Sequence, residues 1–271
     1  MHNPTRRNRN IGSERQGHGK DNKLVIPWPF HEDRIYYEIL PDAREYSFEL
    51  HGDKRVALVQ PPTNGNYYGC TLPDLIRILR SLPAADVDGL DLFLFRQPTK
   101  KQLLLKSVWG RFIYYATPSR HRGSAICIEA TKPMQVKWPK SNTPEHEREL
   151  ARLAADGCKM TYTKREILID TTRESLRNTV LYRTVLHETG HYVDWLRSVL
   201  DLEGTETEIE AASERFDTKT SAMKEDFAHR YAKEMADKLR ANGQLPFPIT
   251  WDEDAMQRAG IQRSWFVPDA S

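Results

Sequence analysis

Cysteines and long apolar runs are both scarce in this chain of 271 residues. The three cysteines, Cys70, Cys127 and Cys158, are odd in number and far apart, so they indicate neither a disulfide framework nor a thiolate zinc site. We expect them to be free thiols that pack as small apolar side chains in a reducing compartment. No stretch approaches the roughly 18 consecutive apolar residues of a membrane-spanning helix, so we expect no membrane partner.

A large excess of charge of one sign is also missing. The chain has 40 Lys and Arg against 38 Asp and Glu, a net charge of +2, which gives no overall case for a nucleic-acid or membrane-surface partner. Its first residues carry no apolar run after their charges, so we expect no Sec-type signal peptide. The expected location is the cytoplasm, or outside the cell after export by another route.

Residues 1–24 contain six Lys and Arg, two acids and almost no large apolar side chain. This composition predicts a disordered basic arm. The composition argues against binding of nucleic acid through the arm, because the arm lacks the interleaved aromatic side chains that stack on bases. A single ordered domain is expected over residues 25–271.

Residues 25–170 are expected to carry most of the sheet. Short runs that are rich in β-branched and aromatic residues, and are bounded by glycine or proline, predict strands. The predicted strands are 34–40, 55–60, 90–95, 111–116, 124–130 and 166–170. Two helices are predicted between them, at 71–82 with Thr71 as its cap and at 143–157.

The hydrophobic period changes in residues 171–245. Apolar residues recur at helical spacing over 180–200, which predicts one long helix that begins near Asn178. A second helix is predicted to start after a cap at Ser221. The tail, 246–271, shows no period and is expected to drape over the domain. The fold class is therefore expected to be α+β, a small mixed sheet followed by a helical half.

The long predicted helix contains the sequence TVLHETGHYVDW, with His187, Glu188 and His191 in the order H-E-x-x-H. Residues four apart lie on one face of an α-helix, so the two imidazoles can converge on one zinc ion. Glu188 lies about 100° round the helix from His187. From that position it can act as a general base on a water bound to the metal.

A catalytic zinc usually has three protein ligands and a water. The chain does not match the extended motif with a third histidine, because Asp194 stands where a glycine is needed and Arg197 stands where the third histidine is needed. A glutamate from the next helix is the other route. Glu225 lies near the edge of the apolar face that contains Met223 and Phe227, and can point into a cleft; Asp226 is the fallback.

The two segments LHETGHYVDW and KEDFAHRYA resemble the glutamate-zincin metallopeptidases, most closely the catalytic domain of the anthrax lethal factor type. The resemblance covers roughly residues 180–235 and implies a zincin-like domain with zinc as cofactor and a protein or peptide as substrate. By this likeness His187, His191 and Glu225 are the metal ligands, and Glu188 is the general base.

The chain departs from the family at two places. The family carries an acidic residue four positions after its third ligand, where this chain has His229. It also carries a tyrosine that assists the developing oxyanion, where this chain has Thr218. We expect such assistance from His229, Tyr231 or Tyr192. Asp194 lies on the helix face of the histidines, and is expected either to orient an imidazole or to pair with a neighbouring arginine.

Two alternatives to a zinc peptidase stay open: a non-catalytic module of the same fold, and a nucleic-acid-associated protein that uses the basic arm. Glu188 favours the enzyme, because a purely structural zinc would have a protein ligand in its fourth position. An extended substrate would add as a strand to a sheet edge, which either 110–116 or 123–130 could supply. No pattern in the sequence indicates an oligomeric state.

Overall fold

The computed structural model describes residues 38–99, 102, 108–141, 143–202 and 204–267. The predicted basic arm lies outside these ranges, as does most of the strand predicted at 34–40. In the described ranges a sheet-bearing half is followed by a helical half, so the α+β class is confirmed. None of the helices in these ranges has both the length and the apolar character needed to cross a bilayer.

The main sheet has five strands: β1 Arg44–Leu50, β2 Asp53–Val59, β3 Leu92–Arg96, β4 Gly110–Ala116 and β5 Gly123–Glu129. Their order is β1-β2-β3-β5-β4. The pairs β2–β3 and β3–β5 are parallel, and the pairs β1–β2 and β4–β5 are antiparallel, so the sheet is mixed as predicted. Every residue of the central strand β3 is buried, as expected of a parallel strand that is covered on both faces. β4 lies at an edge of this sheet.

Helices dominate the second half of the chain. The α-helices of the described ranges are α1 Leu72–Arg80, α2 Ala84–Val87, α3 Pro144–Ala155, α4 Arg173–Arg177, α5 Val185–Trp195, α6 Glu206–Asp217, α7 Ser221–Ala241 and α8 Glu253–Arg258, and all but α1 and α2 lie in this half. The predicted cap of α1 is confirmed, because the Thr71 side chain accepts a hydrogen bond from the Asp74 N–H. The cap of α7 is Thr220, one residue before the predicted Ser221, because the Thr220 hydroxyl accepts from the Met223 N–H.

A second, antiparallel sheet consists of β6 Gln135–Pro139, β7 Lys159–Tyr162 and β8 Glu166–Asp170, in the order β6-β8-β7. Only β8 was predicted. β7 has four residues and no buried side chain, whereas β6 does alternate, with Val136 and Trp138 half-buried between exposed neighbours, so it carried a short strand signal that the prediction missed. Leu150 and Leu153 of α3 join Ile167 and Ile169 of β8 in a small core.

The helix predicted from Asn178 to residue 200 is helical throughout, but it is not a single α-helix. π-helical segments, Asn178–Thr184 and Leu196–Leu200, stand on either side of α5. The helical run also begins earlier, at Arg173, after a cap at Thr172. A π-helical segment has i→i+5 hydrogen bonds and is frequent at functional sites. The H-E-x-x-H motif thus lies in the α-helical turns between two irregular stretches.

The main core lies between the five-stranded sheet and the helices. The tail contributes Met256, Ile261, Trp265 and Phe266 to it, so this segment is partly built into the core instead of only covering it. The Phe266 ring lies 5.5 Å from the Tyr68 ring, between centroids. Cys70, Cys127 and Cys158 are free and buried, as predicted.

Candidate metal centre

Helices α5 and α7 cross at Gly190. A Cβ at this position would lie 2.8 Å from Ala228 Cα and 3.0 Å from the Ala228 carbonyl oxygen, so only glycine permits the approach. This contact explains why the chain has glycine at position 190, although glycine inside a helix is less stable than alanine by about 1 kcal/mol. Glu225 lies about one turn before Ala228 in α7, and the close crossing brings its carboxylate to the histidines of α5.

His187, His191 and Glu225 form a group whose potential ligand atoms all lie within 4.8 Å of one another. The two Nε2 atoms are 3.1 Å apart, and the Glu225 oxygens lie 3.2 Å from His187 Nε2 and 3.6 Å from His191 Nε2. Bonds of about 2 Å to one tetrahedral ion separate its ligand atoms by about 3.3 Å. The donor types and their separations therefore fit a zinc ion.

The protonation states of His191 and Glu225 suit a metal. Burial, with the positive charge of His187, lowers the pKa of His191 to about 4, so its imidazole is neutral at pH 7, the form that binds metals. The hydrogen bond with His187 lowers the pKa of Glu225 to about 2, against an opposing effect of burial. His187 Nδ1 is buried without a hydrogen-bond partner in the described ranges, whereas a metal-bound histidine usually donates that N–H.

Glu188 lies beside this group and is 7% exposed. Burial raises its pKa to about 7; the charge of His187 lowers the pKa and that of Glu225 raises it further. A backbone hydrogen bond from Phe112 acts in the lowering direction and joins the carboxylate to β4. Glu188 is thus a buried carboxyl group next to the three potential ligands.

The edge strand β4 begins against α5. A Cβ on Gly110 would lie 2.8 Å from Thr184 Cγ2 and 2.9 Å from the Cys127 carbonyl oxygen, so glycine allows the strand to lie this close. The Phe112 ring lies 5.7 Å from Tyr192 and the Tyr114 ring lies 5.5 Å from Trp195, between centroids. These contacts hold the edge strand beside the H-E-x-x-H helix.

Two cavities meet at this strand. The larger, of about 670 Å³, is lined by Gly110, Arg111, Phe112 and Tyr114 of β4 and by Lys219, Ser221, Lys224 and Glu225. The smaller, of about 280 Å³, is lined by Trp109, Trp138, Glu149, Arg183 and His229. His187 and Glu188 line both cavities, so they lie at the junction of an open cleft.

Asp194 is buried on α5, and its partner is Lys219. Lys219 Nζ lies 2.8 Å from Asp194 Oδ1 and 3.0 Å from the Ser198 hydroxyl. The pairing with a neighbouring arginine that the sequence suggested is absent from the described ion pairs. Asp194 raises the pKa of His191 through its charge, so it acts on that imidazole electrostatically.

The other predicted residues have different surroundings. The His229 ring lies 4.3 Å from the His187 ring, between centroids, and burial lowers the pKa of His229 to about 4. The Tyr192 hydroxyl donates to the Asp88 carbonyl. Thr218 caps the end of α6 and donates to the Arg215 carbonyl. Of these three, only His229 lines either of the two cavities.

The Tyr231 hydroxyl donates to Asp86 Oδ2 at 3.0 Å, and Arg197 lies 2.6 Å from Asp86 Oδ1. We expect Tyr231→Phe to lower the free energy of unfolding by about 1–2 kcal/mol, because buried Asp86 loses one of two partners. Calorimetry measures this loss. An unchanged midpoint of unfolding in Tyr231→Phe would contradict this structural role of the hydroxyl group.

Several cleft residues were not found from the sequence. Arg111 and Tyr114 belong to β4, and Lys219 and Lys224 flank the start of α7. Their types carry no motif, and only the packing of β4 and α7 around α5 brings them together. Tyr114 is notable because burial raises the pKa of its hydroxyl to about 12, with Asp194 acting in the same direction.

Comparisons of the chain with protein-family models, with curated proteins and with solved structures find no significant match.

We expect Glu225→Ala to weaken zinc binding by more than about 100-fold, because it removes one of three converging donors. Loss of a residue that only supports a ligand typically costs about 10- to 100-fold in metal affinity, and loss of a ligand should cost more. Asp226→Ala is the matched control, because Asp226 is adjacent, exposed and outside the donor group. Competition with a fluorescent zinc chelator measures both affinities. Retention of zinc by Glu225→Ala, with loss in Asp226→Ala, would transfer the third ligand to Asp226.

Proposed function

We propose that this protein is a zinc-dependent metallopeptidase with a zincin-like fold. The observation that carries the proposal is the convergence of His187, His191 and Glu225 at separations of 3.1–3.6 Å, beside the buried carboxyl group of Glu188. A structural zinc site would have a fourth protein ligand, and no fourth His, Cys, Asp or Glu joins this group within the described residues.

In this proposal His187, His191 and Glu225 hold the metal, and Glu188 handles protons. A bound zinc ion supplies Lewis acidity, which polarises a carbonyl group and makes water a nucleophile at neutral pH. Glu188 takes the proton of the attacking water and then delivers it to the nitrogen of the leaving amine. The hydrogen bond from Phe112 and the burial of Glu188 restrict the orientation of its carboxylate.

The substrate in this proposal is a protein or peptide in extended form. β4 is an edge strand, and Gly110, Arg111, Phe112 and Tyr114 line the larger cavity. An extended peptide can add to such an edge through main-chain hydrogen bonds. The scissile bond of a peptide paired there would lie close to Glu188. Of the two candidate edges named from the sequence, 110–116 is an edge strand and 123–130 corresponds to β5, which pairs on both sides.

Metal dependence tests the proposal directly. We expect the purified chain to bind one zinc ion and to cleave peptides in a mixed library, with cleavage abolished by a chelator and restored by stoichiometric zinc. Elemental analysis and mass spectrometry of the products measure the two parts. A chain that holds one zinc ion and leaves every library peptide intact would contradict the peptidase proposal.

A further inference from the structure

Two lysine side chains meet over one aromatic ring in the larger cavity. Lys219 Nζ lies 4.8 Å, and Lys224 Nζ 4.3 Å, from the centroid of the buried Phe216 ring. The face of an aromatic ring attracts ammonium groups. Phe216 therefore holds both cations at the cavity wall, where each lysine is half-buried.

The charges of these two lysines are balanced differently. Asp194 lies 2.8 Å from Lys219 Nζ and neutralises it. Lys224 forms no ion pair with any carboxylate in the described ranges, although Glu225 follows it in the sequence. The Glu225 carboxylate is directed at His187 and His191. The charge of Lys224 is thus held at the wall of a cleft without an anionic partner from the described part of the chain.

The same cavity is lined by the edge strand. An extended peptide paired with β4 directs alternate side chains to one face, so a side chain near the scissile bond can reach the lysines. Arg111 lines this wall as well, with its guanidinium 2.7 Å from Glu129. Arg111 and Lys219 are each paired with a carboxylate, and the Glu225 carboxylate faces the histidines, so among these described lining residues Lys224 is the cation left to pair with a substrate.

From this arrangement we propose that the larger cavity recognises a carboxylate side chain, aspartate or glutamate, close to the scissile bond of the substrate, through Lys224. The proposal deepens the proposed peptidase function and rests on it. The compact ammonium group of Lys224 forms the ion pair with the substrate, whereas the charge of Lys219 is already balanced by Asp194. Lys224 is in this way a specificity-determining residue.

The test uses the full-length zinc-loaded chain and peptides that are identical except for glutamate, glutamine or lysine next to the cleaved bond. We expect the glutamate peptide to bind and to be cleaved about three- to tenfold better than the glutamine peptide, the range for a partly exposed ion pair. Binding is measured by fluorescence anisotropy with the Glu188→Gln variant, which separates recognition from turnover. Raising the salt concentration reduces the preference.

Three variants assign the preference to Lys224. Lys224→Gln removes it, Lys224→Arg keeps it, and the control Lys238→Gln keeps it because Lys238 is exposed at the far end of α7 and does not line the cavity. Glutamine is chosen because it adds no carboxylate beside the metal ligands. The zinc content of each variant is measured as well. If Lys224→Arg or Lys224→Gln loses zinc, the two variants are compared by their peptide affinities and not by their cleavage rates.

Two results overturn this proposal: the wild-type chain shows no preference for the glutamate peptide, or Lys224→Gln keeps the preference. If peptides are cleaved without that preference, the proposed peptidase function stands and the specificity proposal fails. If no peptide is cleaved but Lys224 still confers preferential binding of the glutamate peptide, the recognition site stands and the peptidase function fails.

Discussion

Glu188→Gln is expected to lower the rate of peptide cleavage by about 10²–10⁴, the usual effect of removing a general base. The amide keeps the size of the side chain and can still accept the hydrogen bond from Phe112, but it cannot take a proton at neutral pH. Glu188 lies outside the donor group of His187, His191 and Glu225. The variant should therefore bind one zinc ion with similar affinity and unfold at a similar temperature.

The matched control is Glu234→Gln, because Glu234 is exposed on α7 and outside both cavities. It should cleave peptides at the wild-type rate. Steady-state kinetics, zinc titration and calorimetry on the three proteins give the comparison. Equal cleavage by wild type and Glu188→Gln, with both holding zinc, would exclude Glu188 as the base. Loss of zinc in Glu188→Gln would instead make Glu188 a ligand.

Gly190→Ala is expected to destabilise the fold and the metal centre together. The added methyl group would lie 2.8 Å from Ala228 Cα and 3.2 Å from Tyr231 Cβ, and Ala228 Cα is backbone that cannot rotate away. Overpacking of this kind costs about 1–3 kcal/mol, which exceeds the gain of about 1 kcal/mol in helix propensity from the same change. Relief of the clash requires α7 to move away from α5, and Glu225 moves with it.

Gly204→Ala is the control for this change. Its nearest neighbour would be Glu208 Oε2, at 2.9 Å, which accepts hydrogen bonds from Thr205 at the start of α6, so its effect should be confined to this helix cap. Denaturant unfolding and zinc titration should show losses of stability and affinity in Gly190→Ala, and no loss of zinc affinity in Gly204→Ala. Wild-type zinc affinity in a folded Gly190→Ala variant would show that the helix crossing does not determine the position of Glu225.

Local spacing explains what could be predicted from the sequence. His187 and His191 share a helix face because they are four residues apart, and no other part of the chain is needed for that inference. The strands β2, β3, β4, β5 and β8 were found from short runs with the expected composition, and α1 from its cap at Thr71. The mixed sheet followed by helices was therefore predictable.

Features that depend on distant contacts were not predictable. Asp194 pairs with Lys219, 25 residues further along the chain, and not with an arginine of its own helix. The Tyr231 hydroxyl contacts Asp86, 145 residues away. Glu225 was singled out because a third ligand was required, because it lies near the edge of an apolar helix face and because its segment resembles the family motif; its approach to the histidines depends on the close crossing at Gly190. Such pairings are decided by packing between elements, which no single segment encodes.

The two π-helical segments, Asn178–Thr184 and Leu196–Leu200, have a consequence for the comparison of this chain with others. A π-bulge accommodates one more residue than the α-helical turn it replaces. A homologue whose helix is purely α-helical would therefore align without gaps across the eleven residues of α5 and would require a one-residue gap on each side. A gapless alignment of the whole helical run, 173–200, would therefore lose register at both ends of α5.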